Sequence, residues 1–439
     1  MGSRLYILTI SVISALGGYL FGFDFAVISG ALPFLRETFH LDVWSEGFLT
    51  GVLGLGCIAG CLFTGTLADR YGRKPGLLLA AGIFALSSLG MAFSGSFAVF
   101  ACMRFVAGVG VGMASMLSPL YIAEISPAAT RGRNVAINQL TIVAGILITN
   151  LINYSLADRG ADAWRWMFGL GVIPALLFLL GVAWLPESPR WLLTKDRYQE
   201  ALRIMTQMGN RETALNTANA VMQSMGKKEK RRLFEKTLRP AVLAGILLAV
   251  FQQFCGINVV FNYTSTIFAS AGASLDRQLF ETIGIGIVNL LFTLLAMWQV
   301  DKLGRKPLML IGSLGLSVLY ILLAFVLQKN FSPAWVSVFV LLAIAVYACS
   351  LAPVTWVLIS EIFPNSIRGK ATSLAIVSLW AAYFILVFTF PVLSASLGAF
   401  GPFYLYAGIC LLAFFVIRSG LQETKGRTLE ELEQSIVAH

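Results

Sequence analysis

Of the 439 residues, 57% are hydrophobic and only 12% are charged, and the mean hydropathy is +0.79. A soluble domain carries about 25% charged residues, so this composition excludes a soluble enzyme, a disordered chain and a nucleic-acid-binding domain. The formal charge of +10 would suit an acidic partner, but the placement of the basic residues gives it another meaning.

Twelve stretches approach the length of about 20 apolar residues that a bilayer-spanning helix needs. In chain order they are roughly 5–30, 46–66, 75–95, 99–122, 135–156, 167–186, 240–270, 278–299, 307–327, 334–359, 371–393 and 402–422. The first has one basic residue before it, Arg4, is rich in glycine and shows no small-residue cleavage site, so it reads as a retained helix. Runs such as 77–86 and 340–346 are apolar all round, unlike the alternating strands of an outer-membrane barrel. Of the 32 Lys and Arg residues, 26 fall at the N-terminus, in every second loop or from Arg418 onward. Arg36, Arg159, Arg165, Arg277 and Lys329 fall in the alternate loops, and Arg104 lies inside a span. This positive-inside bias predicts that both termini and the long loop at 187–239 are cytoplasmic. That loop carries twelve basic and six acidic residues and has amphipathic stretches, which predicts short linker helices.

The two sides of the linker repeat each other. Asp69-Arg70-Tyr71-Gly72-Arg73-Lys74-Pro75 returns as Asp301-Lys302-Leu303-Gly304-Arg305-Lys306-Pro307, an offset of 232. Glu124 precedes Arg131-Gly132-Arg133 as Glu361 precedes Arg368-Gly369-Lys370, and Glu187 after span six answers Glu423 after span twelve. The expected organisation is a six-helix bundle at 1–186, linker helices at 187–239, a second bundle at 240–422 and a tail at 423–439. Parallel repeats of this kind build many secondary transporters. Anchoring alone needs Lys and Arg, but not acids at repeated positions. The set Asp69, Arg73, Glu124, Arg131, Glu187, Asp301, Arg305, Glu361, Arg368 and Glu423 therefore reads as a gating network that pairs and unpairs at one face.

Two ionisable residues lie within spans, Asp24 and Arg104. A charge at membrane depth costs about 2.5–3.5 kcal/mol on insertion scales, so it has a partner and, by default, a function. They have opposite signs, and either a structural ion pair or a proton site accounts for them; burial and the guanidinium act on the carboxyl in opposite senses. A neutral cluster follows in Gln252-Gln253-Phe254-Cys255-Gly256-Ile257-Asn258, with Gln139 and Asn289 in other spans. Consecutive glutamines before Gly-Ile-Asn predict a helix that loosens where it lines a cavity, and Pro353 before Trp356 predicts another break. Amides with the indoles of Trp356 and Trp380 suit a neutral polyhydroxylated ligand, although helix–helix hydrogen bonding explains Asn289 nearly as well. Six cysteines, all within spans, and two histidines make a metal site improbable, and Gly108-Val109-Gly110-Val111-Gly112 lacks the strand that a dinucleotide fingerprint requires. No Walker A sequence appears, and neither cofactor, metal nor enzymatic chemistry is expected.

The motifs at 69–74, 131–133, 186–191, 252–258, 301–306 and 361–368 resemble those of sugar porters of the major facilitator superfamily, over essentially the whole chain, and are most similar to bacterial D-xylose:proton symporters. The resemblance implies an all-α fold of twelve transmembrane helices in two six-helix bundles. It implies that Gln139, Gln252, Gln253, Asn258 and Trp356 contact sugar, that Phe21, Asn289 and Trp380 line the cavity, and that Asp24 carries the proton with Arg104 as partner. The expected protein is a monomer in the cell (inner or plasma) membrane that imports a monosaccharide with a proton. Its alternative is a facilitative uniporter of the same fold. A sugar sensor would be expected to have a longer cytoplasmic tail than the 17 or so residues after span twelve. Departures fall at Asn262, where a tyrosine is usual, at Leu379, Ala352 and Gln422; the first three alter the presumed cavity, so the resemblance carries "sugar" further than "xylose".

Overall fold

The computed structural model describes residues 3–127, 130–225, 233–235, 238–363, 367–421 and 423, without the side chains at 3, 4, 220, 224, 225, 300, 301, 360, 361 and 368. The expected roles of Asp301, Glu361 and Arg368 therefore lie outside the described side chains, as does the tail at 424–439. Before the linker come α1 (Ser3–Phe39), α2 (Val43–Tyr71), α3 (Arg73–Ala92), α4 (Phe97–Ile125), α5 (Arg131–Leu156), α6 (Ala163–Gly169) and α7 (Val172–Trp184). The linker holds α8 (Pro189–Thr194), α9 (Tyr198–Met208) and α10 (Arg211–Met225). Next are α11 (Arg239–Phe254), α12 (Ile257–Asn262), α13 (Thr264–Ser270), α14 (Leu275–Leu303) and α15 (Arg305–Gln328). The last four are α16 (Pro333–Cys349), α17 (Leu351–Glu361), α18 (Arg368–Leu397) and α19 (Gly401–Gly420).

These helices supply twelve spans long and apolar enough to cross a membrane, in the order the apolar stretches predict. The protein is an all-helical, twelve-span membrane protein. Leu86, Leu180 and Phe63 are each about two-thirds exposed, which water would not tolerate on this scale and lipid does. The first span runs to Phe39, nine residues past the end expected from hydropathy. Its apolar run stops short of Arg36 and Glu37, but Arg36 finds an acid on α2, so the charge does not end the helix.

The seventh and tenth spans are broken. In the seventh, α11 ends at Phe254, Gly256 adopts φ +85°, and α12 restarts at Ile257. Only glycine enters that left-handed region without steric cost. A Cβ built there would also meet the Tyr406 ring at 2.5 Å. Gly256→Ala is expected to destabilise the protein by about 1–3 kcal/mol, read as a lower apparent unfolding temperature in detergent; an unchanged value contradicts this. In the tenth, the break falls at Ser350 (φ −129°, ψ −85°), three residues ahead of Pro353. Pro353 has no N–H to offer the Cys349 carbonyl and its ring crowds it, so the disruption falls a turn upstream of the proline.

The chain forms two compact units. The first comprises Met1–Asp24, Gly56–Gly145 and Phe168–Lys230, and the second Phe25–Leu55, Ile146–Met167 and Arg231–His439. Within the first, the linker helices bury their own apolar cluster around Trp191, Leu192, Ala201, Met205 and Ala218. Within the second, the later parts of α1 and α5 and the first part of α2 pack with α13, α14 and α18.

Candidate functional site

The repeated charged motifs build the same structure twice. Gly72 (φ +106°) and Gly304 (φ +91°) turn the chain tightly into α3 and α15. Glu187 then accepts the first backbone N–H groups of α3, from Arg73 at 2.9 Å and Lys74 at 3.2 Å. Glu423 does the same for α15, from Arg305 at 2.9 Å and Lys306 at 3.0 Å. A carboxylate at a helix N-terminus meets both its unsatisfied donors and the positive end of its dipole. Burial pushes the Glu187 carboxyl up from its ordinary value, with the N–H groups of Ser188, Arg73 and Lys74 pulling it back. The lysines close the circuit: Lys74 Nζ donates to the Ala183 carbonyl at 2.8 Å and Lys306 Nζ to the Arg418 carbonyl at 3.0 Å. In the first unit Arg73 also pairs with Glu124 at 2.9 Å and more loosely with Asp69 at 3.7 Å, while Ser188 donates to Glu124. Arg131 lies near Arg190, whose pKa is lowered first by burial and then by Arg131.

Asp24 and Arg104 come together in the first unit, both fully buried. The pair is loose, with Arg104 Nη1 at 3.4 Å from Asp24 Oδ2 and 3.5 Å from Oδ1. Well-formed charge-assisted bonds run about 2.7–2.9 Å. Asp24 Oδ2 and Arg104 Nε and Nη2 have no hydrogen-bond partner among the described residues. The guanidinium also lies 5.8 Å from the Phe168 ring centroid. A buried pair with spare donors on one side and a spare acceptor on the other is held mainly by its charges.

The amides of the second unit form a directed chain. Asn258 Nδ2 donates to Gln253 Oε1, Gln253 Nε2 donates to Gln252 Oε1 at 2.6 Å, and Gln252 Nε2 donates to the Tyr347 hydroxyl at 2.6 Å. The break at Gly256 makes this possible, because a continuous helix would not aim the side chains at 253 and 258 at one another. Asn262 extends the cluster, donating to the Asn258 carbonyl at 2.7 Å and accepting from the Tyr383 hydroxyl at 3.1 Å. Trp380 is buried and packs edge-on to Tyr383 and Phe25. Trp356 is 40% exposed, and Asn289 is buried on α14 outside the chain of amides. Gln139 and Phe21, both half-buried, belong to the first unit.

A family model described as "Sugar (and other) transporter" matches residues 10–435. The chain is 38% identical to the D-xylose-proton symporter of Escherichia coli (strain K12), covering 98% of this chain and 95% of that protein. It is 38% identical to the glucose transport protein of Synechocystis sp. (strain ATCC 27184 / PCC 6803 / Kazusa), covering 97% of each. The xylose transporter XylE from E. coli, solved in a partially occluded inward open conformation, superposes with a TM-score of 0.88 at 36% identity, covering 96% of this chain and 99% of that one. The chain belongs to the sugar transporter family.

In this sugar porter, the sequence reading missed Tyr347, Tyr383 and a charged cluster at helix ends. Arg36, in the last turn of α1, meets Glu46, in the first turn of α2, through two bonds of 2.6 Å, and its Nη2 also donates to Thr266 on α13 at 2.6 Å. Ser265 Oγ donates to the Ser29 carbonyl at 2.6 Å, and Asn150 Nδ2 donates to the Thr282 carbonyl at 2.6 Å. The cavity that Phe25, Asn150, Phe261 and Thr282 help to line has only about 10 Å³ of free volume, room for about one water. These bonds join α1, α2, α5, α13 and α14 within the second unit. Glu46→Gln is expected to speed modification of Ser265→Cys by a water-soluble thiol reagent about tenfold, the equivalent of losing one charge-assisted bond. An unchanged rate would mean that the cluster holds nothing shut.

Proposed function

We propose that this transporter imports a neutral monosaccharide, pentose or hexose, together with a proton by alternating access. The observation that carries the proposal is the fully buried Asp24–Arg104 pair and its spare hydrogen-bonding atoms. In this reading the amides at 252, 253, 258 and 289, Gln139 and the indoles of Trp356 and Trp380 read the sugar, and Phe21 is a lining residue. Hydroxyls bond to amides that donate and accept, while the apolar C–H faces of a sugar ring rest on aromatic faces. Xylose and glucose name two of the relatives, which supports the substrate class.

Asp24 is the proton carrier in this reading. Protonating it removes the charge that holds Arg104, whose Nε and Nη2 then seek other acceptors. A ligand biases an equilibrium only through its differential affinity for the two states. The proton supplies that difference at Asp24 and the sugar supplies it at the amides. The two halves, 1–186 and 240–422, exchange access to the two faces, and the charged helix ends at 69–74, 301–306, 187 and 423 form and release the closure on the linker side. Both termini and the linker face the cytoplasm of a cell whose inner or plasma membrane holds the protein, here as a monomer.

Sugar uptake into proteoliposomes tests this. With an inward proton gradient, labelled xylose or glucose accumulates above its outside concentration; without the gradient it only equilibrates. Uptake that never exceeds equilibrium under either condition rejects symport and leaves the facilitative uniporter, in which the Asp24–Arg104 pair is structural.

A further inference from the structure

We infer that Tyr347 sets sugar specificity in this transporter, its phenol donating a hydrogen bond to one oxygen of the sugar. The inference rests on the transport reading above and adds a residue to it. The argument is the direction of the amide chain. Each link donates the same way, from Asn258 to Gln253 to Gln252 to Tyr347. Gln253 spends its Nε2 on Gln252 and its Oε1 on Asn258, and Gln252 spends its Oε1 on Gln253 and its Nε2 on Tyr347. Both glutamines are thus committed within the protein in one orientation.

In that orientation each glutamine keeps its second N–H and second oxygen lone pair for a ligand, and the chain leaves a further group at each end. The Tyr347 oxygen is occupied by the Gln252 donor, so the phenol retains its O–H proton to give away. At the other end, Asn258 uses its Nδ2 and keeps Oδ1 as an acceptor. The site therefore offers a donor at Tyr347 and an acceptor at Asn258, in fixed places rather than as amides free to flip. Tyr347 and Asn258 are both buried, at 7% exposed each, and their neighbours in the chain hold them in place. A fixed donor discriminates against a substrate lacking the matching oxygen, because the donor is then left unpaired away from water. Phenylalanine would keep the ring and its packing but lose the donor, and would leave Gln252 Nε2 without its acceptor.

The test is competition against labelled sugar uptake in proteoliposomes, with D-xylose, D-glucose and their monodeoxy and monofluorodeoxy analogues at each ring position. Fluorine accepts a hydrogen bond but does not donate one. For the wild type, one position is expected where the deoxy analogue binds about tenfold more weakly than the parent while the fluoro analogue stays within about threefold. In Tyr347→Phe that tenfold difference is expected to fall to within about twofold, with the other positions unchanged. The inference is overturned if the fluoro analogue fails along with the deoxy one at every position, since Tyr347 would then be accepting rather than donating. It is equally overturned if Tyr347→Phe leaves every ratio as in the wild type. The wild-type comparison stands even if the variant does not fold. Wild-type protein that no sugar occupies overturns the transport reading as well, an outcome distinct from both.

Discussion

Gln253→Ala is expected to raise the KM for the transported sugar at least about 100-fold, because it removes the central link of a buried hydrogen-bonded chain. Gln253 is 4% exposed and bonds on both sides, to Gln252 and to Asn258. Cutting it strands Gln252 Oε1 and Asn258 Nδ2 away from water, each at about 1–3 kcal/mol, and frees both flanking amides to turn. The loss should therefore exceed that from any single contact at the end of the chain. Initial rates over a range of sugar concentrations measure it. A KM within threefold of wild type would show that the amides serve helix packing rather than the sugar.

Asp24→Asn carries the second large effect. Asparagine keeps the shape of the side chain but has no proton to gain or lose, so accumulation under a proton gradient is expected to disappear, inside and outside concentrations becoming equal. Equilibrium exchange of labelled for unlabelled sugar is expected to stay within a few-fold of wild type. Arg104 would face a neutral amide, and an uncompensated buried charge costs several kcal/mol, so some loss of stability should accompany the change. Accumulation that survives in Asp24→Asn rejects the assignment of this residue, whatever happens to exchange.

The spans were legible from hydropathy because a bilayer demands about 20 apolar residues in a row whatever surrounds them. The break at Gly256 was legible too, since amides followed by glycine and asparagine have little reason to stand in a helix that only fills lipid. The other break was read at Pro353, yet the chain bends at Ser350, because a proline disturbs the carbonyl four residues before it. Glu187 and Glu423 were read as ion-pair partners at a gate, and the structure also gives them to the backbone at the start of α3 and α15. That cap joins residues 114 apart in the chain, a separation no local pattern reveals. Tyr347 went unread for a simpler reason, since a tyrosine in an apolar run looks like packing until its hydroxyl is seen beside Gln252. Arg36 and Glu46 look like ordinary charges at span ends, and only the fold brings Arg36 to both Glu46 and Thr266.

The most direct measurement follows protons rather than sugar. Proteoliposomes carrying a trapped pH dye, with no imposed gradient of voltage or pH, receive sugar from outside. If one buried acid ties the two fluxes together, the lumen acidifies as sugar enters, and Asp24→Asn abolishes the signal while sugar still crosses. Sugar entry with a steady lumenal pH in the wild type would contradict the account.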